Sequence, residues 1–291
     1  MNTFILIGEG YYALQVCEII HLSSQASLLN IITSKNDRIL TNWANENQIR
    51  IINQDNLNNY TDFDTNADWL ISVNSSKIIS SDTLNLFKNG GLNLHNGPLP
   101  KYAGLHVHQW GIRHGKLEFG STIHYIDAGI DTGDIVSECS FPILENDTGL
   151  TLYRRSFAKG VELIIEVLNK IFNGEKLIPK IQDLSQREYY SHSSALDGRI
   201  NWNWTMRQIV DFVRAGNYYP LKSPTYIAFL EPIIIGKIEI LCAEPYKGIV
   251  TNPGTINLSS DGNPEISCSD GSVRLIDSRL DGVIMDNIPL R

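Results

Sequence analysis

The sequence predicts an α/β protein with a Rossmann-like parallel sheet covered by helices on both faces, followed by a small C-terminal β-barrel of the OB-like kind. Three observations predict it. Short continuous apolar runs alternate with segments of helical spacing, the mark of βαβ units whose strands are buried on both faces. Beyond residue 200 the text changes to short strand-like runs cut by turn pairs such as Asp261-Gly262 and Asp270-Gly271. The chain has 291 residues, 42% hydrophobic and 19% charged, which suits two unequal folded domains. The predicted division is residues 1–175 for the larger domain, 176–200 for a linker that wraps the surface, and 201–291 for the smaller domain.

The elements follow in order. Phe4 to Gly8 reads as the first buried strand and Tyr11 to Leu22 as a helix, with Leu14, Val16, Cys17, Ile19 and Ile20 on its apolar stripe. Strands are predicted at Leu28–Thr33, Arg50–Ile52, Trp69–Val73 and Gly91–Leu94, with helices near Ile39–Asn47 and Ser81–Phe87. An Asn-rich stretch around 53–66 reads as a loop. Ser121–Ile126 and Ile135–Phe141 flank an Asp-rich turn, and a long helix runs from Thr148, a suitable cap, to Phe172 before Gly174. A helix at Thr205–Ala215 then precedes strands at Thr225–Leu230, Ile233–Leu241, Gly254–Leu258, Glu265–Cys268 and Val273–Ile276.

Charge and cysteine content narrow the partners. Lys and Arg total 24 against 32 Asp and Glu, a formal net charge of -8, and no basic run stands out. This argues against a nucleic-acid partner, which is gripped through a basic patch. The cysteines at 17, 139, 242 and 268 have no Cys-X-X-Cys spacing, so neither a zinc knuckle nor a disulfide framework is expected. No apolar run approaches the ~20 residues of a membrane span, and the first residues lack a basic leader. The expectation is a soluble cytoplasmic protein without a membrane partner.

Candidate chemistry concentrates between residues 91 and 134. Asn93 and His95 are two apart on a strand, so both point to one face at its C-terminal end, where ligands of parallel sheets sit. Pro98 and Pro100 stiffen the loop beyond. An amide, an imidazole and a nearby carboxylate are the parts needed to move an acyl group onto an amine. Other readings compete. Gly8-Glu9-Gly10 suggests a dinucleotide fingerprint, but Ala13 replaces the third glycine and Thr33-Ser34-Lys35 stands where the acidic residue belongs. Five histidines, at 95, 106, 108, 114 and 124, suggest a metal, yet no ligand motif completes a set, and His106, His108, His114 and His124 read as scattered element residues. Asp127, Asp131 and Asp134 lack the closing acid of a calcium loop, and Asp131-Thr132-Gly133 occurs once where an aspartic-protease dyad needs two copies.

Taken together, Asn93-Leu94-His95, the loop Leu99-Pro100-Lys101-Tyr102-Ala103-Gly104 and Asp127-Ala128-Gly129-Ile130-Asp131-Thr132-Gly133 resemble the folate-dependent formyltransferase family. Its members act on initiator methionyl-tRNA, glycinamide ribonucleotide and amino sugar nucleotides, or serve as formylation domains of peptide and polyketide synthetases. The family pattern places the Asp motif about 35 residues after the His. Gly198-Arg199-Ile200-Asn201-Trp202 and Arg214-Ala215 resemble, less closely, the entry to the family's small barrel.

The resemblance implies a 10-formyltetrahydrofolate cosubstrate, no metal, and Asn93, His95 and Asp131 as catalytic residues. Asn93 and His95 would donate to the oxyanion of the transferring formyl group, while Asp131 would orient His95 and help take the proton from the amine. It implies a folate pocket formed by Lys77-Ile78-Ile79 and Asp127-Ala128-Gly129-Ile130, largely through backbone groups, with Leu84 as an apolar wall; Ile79 and Leu84 also read as ordinary core. Departures bear on the acceptor. Asn96-Gly97-Pro98 replaces the Pro-Ser-Leu of many relatives, and the loop Ser34–Leu40 is short, with only Lys35 and Arg38, unlike the basic loop of the tRNA-acting members. In texture the chain is most similar to the synthetase-associated domains. The expected acceptor is therefore the primary amine of a small or carrier-tethered amino-acid-type molecule in secondary metabolism, with a synthetase as partner. A nucleotide-linked amino sugar is the alternative acceptor, and hydrolysis of the folate is the alternative reaction.

Overall fold

The computed structural model describes residues 1–57, 67–191, 197–231, 236–248, 251–258, 263–280 and 283–284. The chain forms two compact units. The first comprises Met1–Gly104, Gly120–Phe141 and Arg155–Tyr189; the second comprises Leu105–Phe119, Pro142–Arg154 and Tyr190–Arg291.

The elements in chain order are β1 (Asn2–Gly8), α1 (Gly10–Leu22), β2 (Ala26–Thr33), α2 (Arg38–Glu46), β3 (Arg50–Asn53), β4 (Trp69–Val73), α3 (Ser81–Leu84), β5 (Gly91–His95), β6 (Ala103–Gly104), α4 (Val107–Arg113), β7 (Glu118–Tyr125), β8 (Ile135–Pro142), α5 (Gly149–Phe172), β9 (Tyr189–Tyr190), α6 (Met206–Gly216), β10 (Phe229–Leu230), β11 (Ile238–Tyr246), β12 (Ile256–Leu258), β13 (Pro264–Ser267), β14 (Ser272–Leu280) and β15 (Val283–Ile284). Residues 233–235 of the predicted strand Ile233–Leu241, and 58–66 of the Asn-rich stretch, lie outside the described residues.

A seven-stranded sheet in the order β3-β2-β1-β4-β5-β7-β8 forms the first unit. Its first five strands are parallel, and β7 runs antiparallel to β5. The sheet is therefore mixed, not parallel throughout. The reason it read as parallel is physical: β7 is buried along almost its whole length, so its hydropathy carries no sign of direction. Ile5, Ile7, Ile32, Leu70, Ile79 and Phe87 build the core on one face. On the other, Gly160 of α5 lies so close to Leu94 that a Cβ there would press on the leucine side chain.

At the sheet's carboxyl edge the Gly8-Glu9-Gly10 turn is closed by the protein itself. A Cβ at Gly8 would run into the carbonyl oxygen of Val73. The N–H of Gly10 donates to Asp37 Oδ2 at 2.6 Å, and Asp37 also caps α2 by accepting from the Leu40 N–H at 3.1 Å. A carboxylate thus occupies the N–H that a dinucleotide phosphate would require.

The second unit has a curled antiparallel sheet, a half-barrel, in the order β10-β11-β14-β13-β12 with β15 beside β14. The apolar face of α6, carrying Ile209, Phe212 and Val213, packs on Ile238, Ile240, Ile266 and Val273 of that sheet. A capping box between Thr205 and Gln208 starts α6. Near its end the buried pair Arg214–Asp211 closes at 2.7 Å, and Arg214 Nη1 donates to the carbonyls of Leu144 and Asp147. No helix among the described residues is long and apolar enough to cross a membrane.

Candidate active site

The site is built on one face of the β5–β7 pair. Antiparallel register sets Asn93 opposite His124 and His95 opposite Thr122, so these four side chains share a face. Asn93 Nδ2 lies 3.1 Å from His124 Nε2. The other nitrogen of His124, Nδ1, is 2.7 Å from the carbonyl oxygen of Tyr125. A carbonyl can only accept, so Nδ1 carries the hydrogen and, in the neutral ring, Nε2 accepts from the Asn93 amide. The same reasoning applies to His95. Its Nε2 sits 2.6 Å from the Tyr102 carbonyl and donates to it, which leaves Nδ1 turned to Asp131 Oδ2 at 3.6 Å.

Thr122 ties the stiff loop to the strand, since its hydroxyl donates to the Gly97 carbonyl and accepts from the Leu99 N–H. Asp131 arrives from the turn between β7 and β8. Its Oδ2 accepts from the Gly104 N–H at 2.8 Å, and its Oδ1 lies 3.5 Å from His124 Nε2. Burial by itself pushes the Asp131 carboxyl up, but the neighbouring His95 and His124 and the Gly104 N–H outweigh it and hold the group well below the usual carboxylate range.

The turn is shaped for this placement. Asp131 has a left-handed backbone, φ 55°, which a non-glycine residue adopts at a cost of about 1–3 kcal/mol. Asp127 Oδ1 accepts from the Gly129 N–H and the Thr132 hydroxyl, and a Cβ on Gly133 would run into the Tyr125 carbonyl. Gln182 Nε2 donates to the carbonyls of Asp131 and Gly133 from the far side.

The structure brings Asn93, His95 and Asp131 together. It adds His124, which read as one of several scattered histidines, and Gln182, in the segment predicted to be a linker. The only sequence signal for His124 was its position on the strand leading into the Asp-rich turn. Gln182 had none. His106, His108 and His114 belong to the second unit; His108 is buried there and bonds to the Tyr218 hydroxyl.

The residues expected to hold folate fall into two kinds. Ile79 is part of the core with Ile5 and Phe87, and Leu84 packs against that core, so both side chains have a structural use. Gly91 has no Cβ, which allows Leu84 and Ile126 to close over it. By contrast, Ile78 is 70% exposed and Ile130 is 40% exposed, and Asp127, Ala128 and Gly129 are exposed too. Lys77 pairs with Asp55 at 3.0 Å. Exposed apolar side chains beside accessible backbone fit a flat heterocycle with polar edges. Among the described residues no group of three His, Cys, Asp or Glu is arranged to hold a metal ion.

Residues 13–168 match the Formyl transferase family and residues 193–286 match the formyl transferase C-terminal domain, so the chain belongs to the formyl transferase family. It is 30% identical over 213 residues to a methionyl-tRNA formyltransferase of Anaeromyxobacter dehalogenans, an alignment covering 72% of this chain and 65% of that relative. The match thus spans just under two thirds of the relative's length. Among solved structures, the fold is similar to an N-formyltransferase from Helicobacter canadensis in complex with folinic acid and dTDP-3-aminofucose, with a TM-score of 0.74, 24% identity, and coverage of 94% of this chain and 99% of the other. It is also similar to a sugar 3N-formyl transferase determined in the presence of dTDP and 5-N-formyl-THF, with a TM-score of 0.73, 22% identity and 99% of both chains covered.

Proposed function

We propose that this protein is an N-formyltransferase that moves a formyl group from 10-formyltetrahydrofolate to a primary amine, with Asn93, His95 and Asp131 as its catalytic residues. The observation that carries the reading is the convergence of Asn93, His95, His124 and Asp131 on one face, the two histidines buried and Asn93 and Asp131 partly exposed. Membership of the formyl transferase family supports it. The bound folate supplies an acylated aromatic amine whose carbonyl the acceptor attacks.

Each residue has a part that follows from its contacts. One hydrogen of the Asn93 amide is held by His124, so the other is presented in a fixed plane to the oxygen that gains negative charge. With its hydrogen on Nε2 committed to Tyr102, His95 turns an unprotonated Nδ1 to the Asp131 carboxylate, so the pair can take up one proton between them. That pair takes the proton which the attacking nitrogen must lose, with both ring N–H groups then held by Tyr102 and Asp131, and returns it to the folate nitrogen as the bond from that nitrogen to the formyl carbon breaks. Ile78, Ile130 and the backbone of Lys77–Ile79 and Asp127–Ile130 hold the folate ring, with Leu84 behind it.

Two acceptor classes follow from different observations. A nucleotide-linked amino sugar is favoured by the solved neighbours, which cover nearly the whole chain and include one in complex with dTDP-3-aminofucose. An amino-acid-type amine, small or on a carrier protein of a synthetase, is favoured by the Asn96-Gly97-Pro98 wording of the loop. The acidic net charge of -8 weighs against tRNA. Incubating the purified protein with 10-formyltetrahydrofolate and a panel of dTDP-amino sugars and aminoacylated carriers tests the reading by mass spectrometry of the amines. Formylation of one class, lost in His95→Ala, is the expected result; formylation of none, or full activity in His95→Ala, overturns it.

A further inference from the structure

We propose that Gln182 is a positioning residue for catalysis, holding the Asp131 turn in its left-handed form from the segment that follows α5; this rests on the proposed function. Gln182 is 7% exposed. Its Nε2 donates to the carbonyl of Asp131 at 3.1 Å and to that of Gly133 at 2.5 Å. Two carbonyls facing one nitrogen fix the amide's orientation, since the amide oxygen in that place would repel both. Oε1 is left buried without a hydrogen-bond partner, so the side chain is held through its two N–H groups. Burying an acceptor unpaired is unfavourable, and a residue that only covered surface would not need to do so.

The rest of the segment grips the same turn. Lys180 exchanges both backbone hydrogen bonds with Ile135, each at 2.8 Å. Arg187 Nη2 donates to the Ile130 carbonyl at 2.8 Å. The Glu188 carbonyl accepts from the Ala103 N–H at 3.0 Å, next to the Gly104 N–H that binds the Asp131 carboxylate. One stretch of chain therefore grips the turn that carries Asp131 and the loop whose Tyr102 carbonyl holds His95. Gln182 touches no reacting atom; it acts by fixing where the Asp131 carboxylate stands relative to His95 Nδ1.

The titratable groups shown facing that carboxylate are His95 on β5 and His124 on β7; Arg187 reaches the turn at the Ile130 carbonyl, and Asp127 bonds Gly129 and Thr132 within it. When Gln182 lets go, the carboxylate moves from His95 and His124 and titrates nearer an ordinary Asp, at about pH 4. The test is Gln182→Met, which keeps the length of the side chain and removes both N–H groups. Expected are a fall in kcat of about 100-fold with KM for the folate within about twofold, and an acid limb of kcat that moves to higher pH. Hydrogen exchange at the Gly104 amide should quicken about tenfold, a readout independent of turnover. Should the Met variant not fold, Gln182→Asn, which keeps the amide one methylene short, gives the same shifts in smaller measure. Wild-type kcat, pH limb and Gly104 protection with only a lowered unfolding temperature would overturn the inference. If the wild-type protein transfers no formyl group, the proposed function fails, and the Gly104 exchange still decides whether Gln182 positions Asp131.

Discussion

Asn93 Nδ2 and His124 Nε2 are 3.1 Å apart because β5 and β7 pair in a register that sets the two residues directly opposite. The contact chooses which end of the Asn93 amide faces His124, and the Tyr125 carbonyl chooses the His124 tautomer. Asn93→Ala should lower kcat by about 10²–10³-fold, the usual loss of one oxyanion donor. His124→Leu, which frees the amide to turn over, should lower it by about tenfold or more while KM changes little. Steady-state kinetics checks both; a His124→Leu enzyme with wild-type kcat would contradict the tautomer argument.

Asp131 contributes to stability in a pH-dependent way. Its carboxyl is held below the ordinary value by His95, His124 and the Gly104 N–H against the opposing effect of burial. A depressed folded-state value stabilises fully above the unfolded value of about 3.9 and is lost as pH falls through the lower folded value. The stability difference between wild type and Asp131→Asn should therefore be constant above about pH 5 and shrink in acid. Urea unfolding at a series of pH values checks this, and a difference that grows in acid would refute it.

The two turn glycines differ in what a methyl group would strike. At Gly133 the obstacle is the backbone carbonyl of Tyr125, which cannot move without disturbing β7; at Gly129 it is the Thr132 side chain. Gly133→Ala should cost about 1–3 kcal/mol, and Gly129→Ala less. Thermal melts of the two variants side by side give the comparison.

In the second unit, Asp211 is shared between a buried and an exposed arginine. Arg214 is 10% exposed and Arg207 is 53% exposed, each bonding Asp211 at 2.7 Å. Asp211→Ala leaves the Arg214 charge buried without its carboxylate and should cost about 3–5 kcal/mol. Arg207→Ala removes a solvated partner and should cost less than about 1 kcal/mol. Chemical denaturation distinguishes the two.

How much of this was legible in the sequence depended on whether a feature was local. The strand Trp69–Val73 has the bounds its apolar run predicted, and the period of two put Asn93 and His95 on one face. The helix expected over Ser81–Phe87 stops at Leu84, because the N–H groups of Leu86 and Phe87 bond three residues back in tight turns. At the Gly-X-Gly turn, Asp37, which accepts from the Gly10 N–H, lies 27 residues away and had no sequence mark. His124 and Gln182 were missed for a common reason. Strand register and the contacts of an aperiodic segment are set by tertiary packing, which hydropathy does not record.

The activity proposed for the Asn93–His95–Asp131 group is transfer of a formyl group to an amine. It is tested most directly by measuring tetrahydrofolate release from 10-formyltetrahydrofolate with and without a candidate amine, in wild type and in Asp131→Ala. Release should depend on the amine, match formylated product mole for mole, and nearly vanish in Asp131→Ala. Release at the same rate with no amine present would contradict it and make the protein a folate hydrolase.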